Sequence, residues 1–221
     1  MGANAEPGPR EALRRDADDR QRYPVDCEWP TEHVAKCLVA YHPDDDDALR
    51  ADQLGRLQAL QAACLGSDRE FLIEVVPPRD LAVRPDTLAR ALEQIYAAGV
   101  RPDWWKLPPP DDAAAWQQIA AVVERHDPHC RGVLLLGLEA PEDRLAHSFR
   151  IAAPHPVCKG FAVGRSIFAE AAADWFAGRL DDAAVTEQVA ARYARLIALW
   201  RDARAPVPAA PAQRLTTRNT A

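Results

Sequence analysis

The sequence lacks the features that mark membrane, secreted and nucleic-acid-binding proteins. No apolar run approaches the ~20 residues that span a bilayer, and the N-terminal 22 residues contain no apolar core of a secretory signal. Lysine and arginine together number 27 against 33 acidic residues, so the net charge is -6 and no basic face for nucleic acid is evident. We therefore expect a cytoplasmic protein with neither a membrane nor a nucleic-acid partner.

Motifs for metals, disulfides and nucleotides are also missing. The five cysteines are scattered, odd in number and without a CxxC pair, which argues against a disulfide framework or a structural zinc site. His33 and His42 have no HxxxH partner, and the run HPDDDD suits a capped helix start better than a metal site. There is no GxGxxG or Walker A motif. The sequence therefore predicts neither a metal nor a cofactor.

Five short apolar runs have the nearly continuous hydrophobicity of strands in a parallel sheet. The predicted strands are Ala35–Tyr41, Phe71–Val76, Asp103–Leu107, Gly132–Leu138 and Lys159–Val163. A helical pattern follows each of them, and a last amphipathic helix is predicted over Asp182–Ala203. This rhythm is typical of βα units. Five such units form either an open doubly wound sheet or part of a TIM barrel.

The composition changes at both ends of the chain. Residues 1–30 are polar and charged without apolar periodicity, which predicts a mobile lead-in. Residues 204–221 are rich in proline and alanine, which predicts a disordered tail. The organised α/β domain is therefore expected over residues 31–203.

Two charged side chains interrupt the predicted strands near their C-terminal ends, where working residues of parallel α/β folds lie. Lys106 ends a strand in PDWWKLPPP, and alternation puts Trp104 on the same face and Trp105 on the other. A poorly solvated ammonium gives up its proton more easily, and a neutral amine can attack a ketone. The alternatives are a cation–π contact or a lysine that reaches solvent. Glu74 in FLIEVVPP is either a general acid/base or half of a structural ion pair.

Three further positions have residue types that suit a phosphate group. Lys36 opens AKCLVAY and either faces a phosphate or lies exposed at the strand start. Gly164, Arg165 and Ser166 precede a predicted helix, where a glycine turn, free amides and a guanidinium suit an anion. The alternative there is a plain glycine turn with a helix start. Gly137 either lets a ligand approach closely or terminates its strand.

Taken in order, these motifs resemble a known family. KCLVAYHPDD, FLIEVVPP, PDWWKLPPP, CRGVLLLGLEAP and KGFAVGRSIF resemble the aldolase-like C-terminal domain of bacterial bifunctional 5-dehydro-2-deoxygluconokinase proteins of inositol catabolism. That domain is related to the tagatose-1,6-bisphosphate aldolase-like class I aldolases. The resemblance extends over about residues 29–200. It implies a partial TIM-barrel-like α/β fold of five βα units with a terminal helix.

The resemblance also implies a role for each candidate residue. Lys106 aligns with the lysine that forms the Schiff base, and Glu74 aligns with the acid/base carboxylate. Lys36 and Arg165 align with residues that bind the substrate phosphate, and Gly164 shapes the turn before Arg165.

The chain departs from the family at its beginning. The family barrel opens with strands that carry an Asp-His-Arg motif, whereas this chain has Asp-Asp-Arg at residues 18–20 with no apolar strand before it. The first three strands of the barrel are therefore expected to be missing. An open sheet edge would favour association with a second copy, or with a partner chain that supplies the strands.

The residues and the resemblance together predict a class I phosphosugar aldolase. Its expected substrate is a phosphorylated sugar acid, 5-dehydro-2-deoxy-6-phosphogluconate, which would be cleaved to dihydroxyacetone phosphate and malonate semialdehyde. The alternative is a non-catalytic phosphosugar-binding or assembly module, or a truncated remnant of a kinase–aldolase fusion.

Overall fold

Five parallel strands form a single sheet in the computed structural model, which describes residue 30 and residues 32–205. The strands are β1 (Ala35–Val39), β2 (Phe71–Val75), β3 (Trp104–Leu107), β4 (Gly132–Leu136) and β5 (Cys158–Ala162). Neighbouring strands are parallel throughout. All five predicted strands are confirmed, and their ends differ from the prediction by at most two residues.

A helix follows each strand, and one more closes the described region. The helices are α1 (Asp47–Gly66), α2 (Thr87–Ala97), α3 (Ala113–His126), α4 (Glu142–Ala152), α5 (Arg165–Phe176) and α6 (Asp182–Arg204). The Asp46 carboxylate accepts hydrogen bonds from the backbone N–H groups of Ala48 and Leu49. These N–H groups have no partner inside the helix, so the acidic run caps α1 as predicted.

The strand order decides between the two architectures that the βα rhythm left open, and it confirms the one that the family resemblance implied. A doubly wound sheet reverses its strand order at a switch point, but here the order runs β1-β2-β3-β4-β5 without reversal. Because βα crossovers are right-handed, an unreversed order puts the crossover helices on one face of the sheet. The fold is therefore a partial TIM-barrel-like α/β fold, whose sheet is not closed, with a terminal helix.

The hydrophobic core lies between the helices and one face of the sheet. Cys37, Ile73, Trp105 and Val133 occupy matching positions on neighbouring strands, and all four are buried. The Trp105 indole N–H donates to the Tyr96 hydroxyl at 2.7 Å, which satisfies both polar groups, and burial raises the pKa of Tyr96. By strand alternation, the candidate residues Lys106 and Glu74 lie on the opposite face.

Gly132 at the start of β4 is expected to be intolerant of a side chain. Its φ is +132°, and an added Cβ would lie 2.6 Å from the carbonyl oxygen of Val157. We expect Gly132→Ala to lower the free energy of unfolding by about 2 to 4 kcal/mol, measured by urea denaturation. Gly160 in β5 has no atom within 4 Å of its added Cβ. Gly160→Ala is therefore the matched control, with an expected change under about 1 kcal/mol. Equal losses in the two variants would contradict this account.

Asp44 ties the loop after β1 to the start of α2. Its carboxylate accepts hydrogen bonds from Arg84 at 2.5 Å and from Arg90 at 3.0 Å. The Arg90 hydrogen bond is the main reason that the pKa of Asp44 falls from 3.8 to about 2. A carboxylate with a lowered pKa stabilises the fold above its unfolded pKa, and this contribution disappears as the pH falls.

Stability should therefore decline between pH 4 and pH 2 more steeply in the wild-type chain than in Asp44→Asn. Urea midpoints measured across this range check the difference. The group is exposed, so 1 M NaCl should shrink the difference by screening the ion pairs. Parallel pH curves for the two proteins at low salt would contradict the role of Asp44.

The described residues include little of the two ends of the chain. The predicted mobile lead-in and disordered tail lie outside the described residues, except for residue 30, Arg204 at the end of α6, and Ala205. The Asp-Asp-Arg segment also lies outside them. None of the helices in residues 32–205 is long and apolar enough to cross a membrane.

Candidate active site

Lys106 and Glu74 meet on the face of the sheet opposite the helices. They are register partners on β3 and β2, each one residue before the end of its strand. The Lys106 Nζ donates a hydrogen bond to Glu74 Oε2 at 3.1 Å. The two side chains are only 17% and 6% exposed. This separation is within the range over which a carboxylate can exchange a proton with an amine.

Lys36 joins the same carboxylate oxygen from β1. Its Nζ donates to Glu74 Oε2 at 2.9 Å, and its side chain is 44% exposed. Lys36 pairs in register with Leu72, two residues before Glu74, so its long side chain reaches toward the C-terminal end of the sheet. Two ammonium groups thus share one buried carboxylate. We call Lys36, Glu74 and Lys106 the lysine–glutamate trio.

The surroundings of the trio are largely apolar. Strand alternation puts Leu72 and Trp104 on the face that carries Glu74 and Lys106. Trp104 is held by a hydrogen bond from its indole N–H to a Glu70 carboxylate oxygen at 2.7 Å. An apolar face strengthens the electrostatic interactions within the trio, because little water competes for the charges.

Arg165 lies outside the trio, at the first position of α5 beyond the end of β5. Strand β5 is two strands away from β3 in the sheet, which corresponds to on the order of 10 Å between the strands. The Arg165 guanidinium forms an ion pair with Glu139, and both side chains are more than half exposed. Gly164 occupies the cap position before the helix. Lys36 and Arg165, which were expected to share one phosphate, therefore have different carboxylate partners.

The segment between β4 and α4 has an unusual backbone. Leu138 and Glu139 both have left-handed conformations, with φ of 49° and 58°. An added Cβ at Gly137 would lie 2.9 Å from both methyl groups of Val163, so this glycine lets the ends of β4 and β5 pack closely. The predicted strand therefore ends at Leu136, before the left-handed turn, and Glu139 precedes the start of α4 at Glu142.

Two cavities lie away from the trio. The larger, of about 650 Å³, is lined by apolar residues of β5, α5 and α6, including Phe161, Val189 and Tyr193. Tyr193 lines this cavity and is half exposed, whereas Trp200, further along α6, does not line it and is buried. Ser166 lines a second cavity, of about 230 Å³, against α4 and α6. Its side chain is thus aimed between helices.

No group of three or more His, Cys, Asp or Glu side chains in residues 32–205 is arranged to hold a metal ion.

Comparisons with known proteins give a family and a fold. The profile of a family described as "Uncharacterized protein conserved in bacteria (DUF2090)" matches residues 24–204. No curated protein matches the chain significantly. Among solved structures, Cgl0159 from Corynebacterium glutamicum is similar, with 22% identity and a TM-score of 0.51. The match covers 74% of this chain and 51% of that one, so the chain spans about half the length of that structure. At this identity, the similarity shows the fold alone.

Proposed function

The chain belongs to the DUF2090 family of bacterial proteins, and we propose that this member is a Schiff-base (class I) aldolase for a phosphorylated sugar acid. One observation carries the proposal. A lysine amine that is 17% exposed lies 3.1 Å from a buried carboxylate, near the C-terminal ends of two parallel strands. Active sites of TIM barrels are built at that end of the sheet.

The first half of the proposed reaction forms the covalent intermediate. Lys106 passes its ammonium proton to Glu74, and the neutral amine then attacks the C5 ketone of 5-dehydro-2-deoxy-6-phosphogluconate and gives a carbinolamine. Loss of water from the carbinolamine gives an iminium. Glu74 is within reach of the amine, so it can accept and return the protons that these steps move.

The second half breaks the carbon–carbon bond. A base removes the proton of the C3 hydroxyl, malonate semialdehyde leaves, and the electrons of the C3–C4 bond pass to the iminium, which becomes an enamine. We assign this base to Glu74, acting directly or through one water. Protonation at C4 and addition of water then release dihydroxyacetone phosphate and restore the Lys106 amine.

We assign the substrate phosphate to the β5 end of the sheet, away from β1 and Lys36. Arg165 and Gly164 lie in the turn after β5, beside the loop after β4. If the five strands are the last five of an eight-stranded barrel, as the resemblance implies, these turns follow strands seven and eight. TIM barrels frequently bind phosphate there. The Lys36 Nζ donates a hydrogen bond to Glu74, so a phosphate that contacted Lys36 would also lie close to Glu74.

Substrate turnover tests the proposal. The purified full chain is mixed with 5-dehydro-2-deoxy-6-phosphogluconate, and the release of dihydroxyacetone phosphate is followed through a coupled NADH-dependent reductase. Release that depends on the concentration of the chain supports the aldolase. Absence of release from a folded chain contradicts it.

The open sheet supports a second candidate function. Strands β1 and β5 each have one neighbour among the described strands, so the site face is not enclosed by a complete barrel. A non-catalytic phosphosugar-binding module would accept that geometry. Calorimetric binding of the same sugar acid without any turnover would favour this second function.

A further inference from the structure

The loop between β4 and α4 brings the Glu139 carboxylate into contact with Arg165, the candidate phosphate-binding residue. Glu139 and Arg165 are an ion pair between the turns that follow two neighbouring strands. The pair is more than half exposed on both sides, so an ion from solution can reach the guanidinium. A guanidinium binds carboxylate and phosphate with the same donor groups. Glu139 and a phosphate therefore compete for the same side chain.

The backbone that holds Glu139 is strained. Leu138 and Glu139 are consecutive non-glycine residues with positive φ, a conformation that costs energy because Cβ approaches the following carbonyl oxygen. The Leu138 side chain is 54% exposed, so its burial does not offset that cost. Strained backbone of this kind persists where neighbouring structure holds it, and it often occurs at ligand-binding sites.

Fixed points lie on both sides of the strained turn. Gly137 packs against the methyl groups of Val163, and the backbone N–H of Ala140 donates to the Gly137 carbonyl at 2.9 Å. Pro141 is the N-cap residue of α4, and its ring fixes its φ. Only three residues separate Gly137 from Pro141, so the backbone at Glu139 has little freedom to move away from Arg165.

We propose that Glu139 is an internal competitor that occupies Arg165 in the empty protein and that an incoming phosphate must displace. This inference rests on the proposed phosphate role of Arg165 and adds to it a residue that sets the affinity of that site. Because Arg165 must release Glu139 before it binds an anion, the carboxylate weakens phosphate binding in the empty protein.

A substitution that removes the Glu139 charge but keeps the side-chain shape tests the proposal. Binding of inorganic phosphate is measured by calorimetry at low ionic strength for the wild-type chain and for Glu139→Gln. Removing the competing carboxylate should tighten phosphate binding by about two- to fivefold, the range expected for the loss of one exposed ion pair. Acetate binding should tighten by the same factor as phosphate binding, because Glu139 must leave the guanidinium before either anion binds.

Glu142→Gln is the matched control. Glu142 lies three residues further along and pairs with Arg195 at 2.7 Å, so this variant loses the same charge without affecting Arg165. Its phosphate affinity should equal that of the wild-type chain within a factor of two. Equal tightening in both variants would mean that net charge alone sets affinity, and this result would overturn the proposal.

Arg165→Gln separates this inference from the proposed function. If Arg165→Gln abolishes phosphate binding but Glu139→Gln leaves it unchanged, Arg165 binds phosphate and the competitor role of Glu139 is wrong. If Arg165→Gln has no effect, or if no variant binds phosphate, the inference is also overturned. The aldolase chemistry is tested independently of Arg165 by borohydride reduction with unphosphorylated dihydroxyacetone, which needs only the amine.

Discussion

Lys106→Met is expected to lower kcat for cleavage of the sugar acid by on the order of 10⁴-fold, because the covalent route requires the amine. Methionine keeps an unbranched apolar side chain of similar length, so the packing around Trp104 should persist. The ion pair with Glu74 is lost, but Lys36 still bonds the same oxygen at 2.9 Å. The measurement is the rate of dihydroxyacetone phosphate release, with circular dichroism to verify the fold.

Lys36→Met is the matched control for the lysine assignment. Both lysines donate to Glu74 Oε2, so each variant removes one ammonium group from the same carboxylate. Lys36 is more exposed than Lys106 and starts at an earlier level of the sheet. Its loss should lower kcat by about 10- to 100-fold at most, through the position of Glu74. A larger loss in Lys36→Met than in Lys106→Met would assign the nucleophile to Lys36.

Glu74→Gln is expected to have two effects, one on rate and one on stability. The amide cannot take a proton from the substrate, so kcat should fall by about 10²- to 10⁴-fold. The amide also removes the negative charge that lies between the two lysine side chains. Because Glu74 is buried while Lys36 is half exposed, the free energy of unfolding should fall by about 1 to 3 kcal/mol. Both quantities are measurable on one preparation.

A double variant separates catalysis from the structural ion-pair alternative. Glu74→Gln combined with Lys36→Met also removes one of the two ammonium groups that meet at Glu74. Stability should return toward the wild-type value, whereas the rate should stay low. If Glu74→Gln alone keeps kcat within twofold of the wild type, Glu74 is only a structural partner and the acid/base assignment is wrong.

Most of the fold could be predicted from the sequence because strands buried in a parallel sheet are continuous apolar runs. The same regularity predicts which way side chains point. Alternation alone put Trp105 and Lys106 on opposite faces of the sheet, and the structure buries Trp105 in the core. The βα rhythm left the strand order open, since both candidate architectures share that rhythm. The family resemblance implied the partial barrel, and the unreversed strand order confirms it.

The site was less predictable because its contacts depend on register and side-chain reach. Glu74 and Lys106 are 32 residues apart, and only the pairing of β2 with β3 shows that they meet. The sequence gives no sign that Lys36 reaches the same oxygen. The left-handed turn that carries Glu139 to Arg165 has no glycine at either of its two positions, so the sequence does not predict it.

Borohydride trapping tests the central claim, that Lys106 is a Schiff-base nucleophile, most directly. The full chain is incubated with dihydroxyacetone phosphate, reduced with sodium borohydride, digested and mapped by mass spectrometry. We predict a stable adduct on the peptide that contains Lys106, retained in Lys36→Met and lost in Lys106→Met. An adduct confined to Lys36, or no adduct on a chain that circular dichroism shows to be folded, would contradict the account.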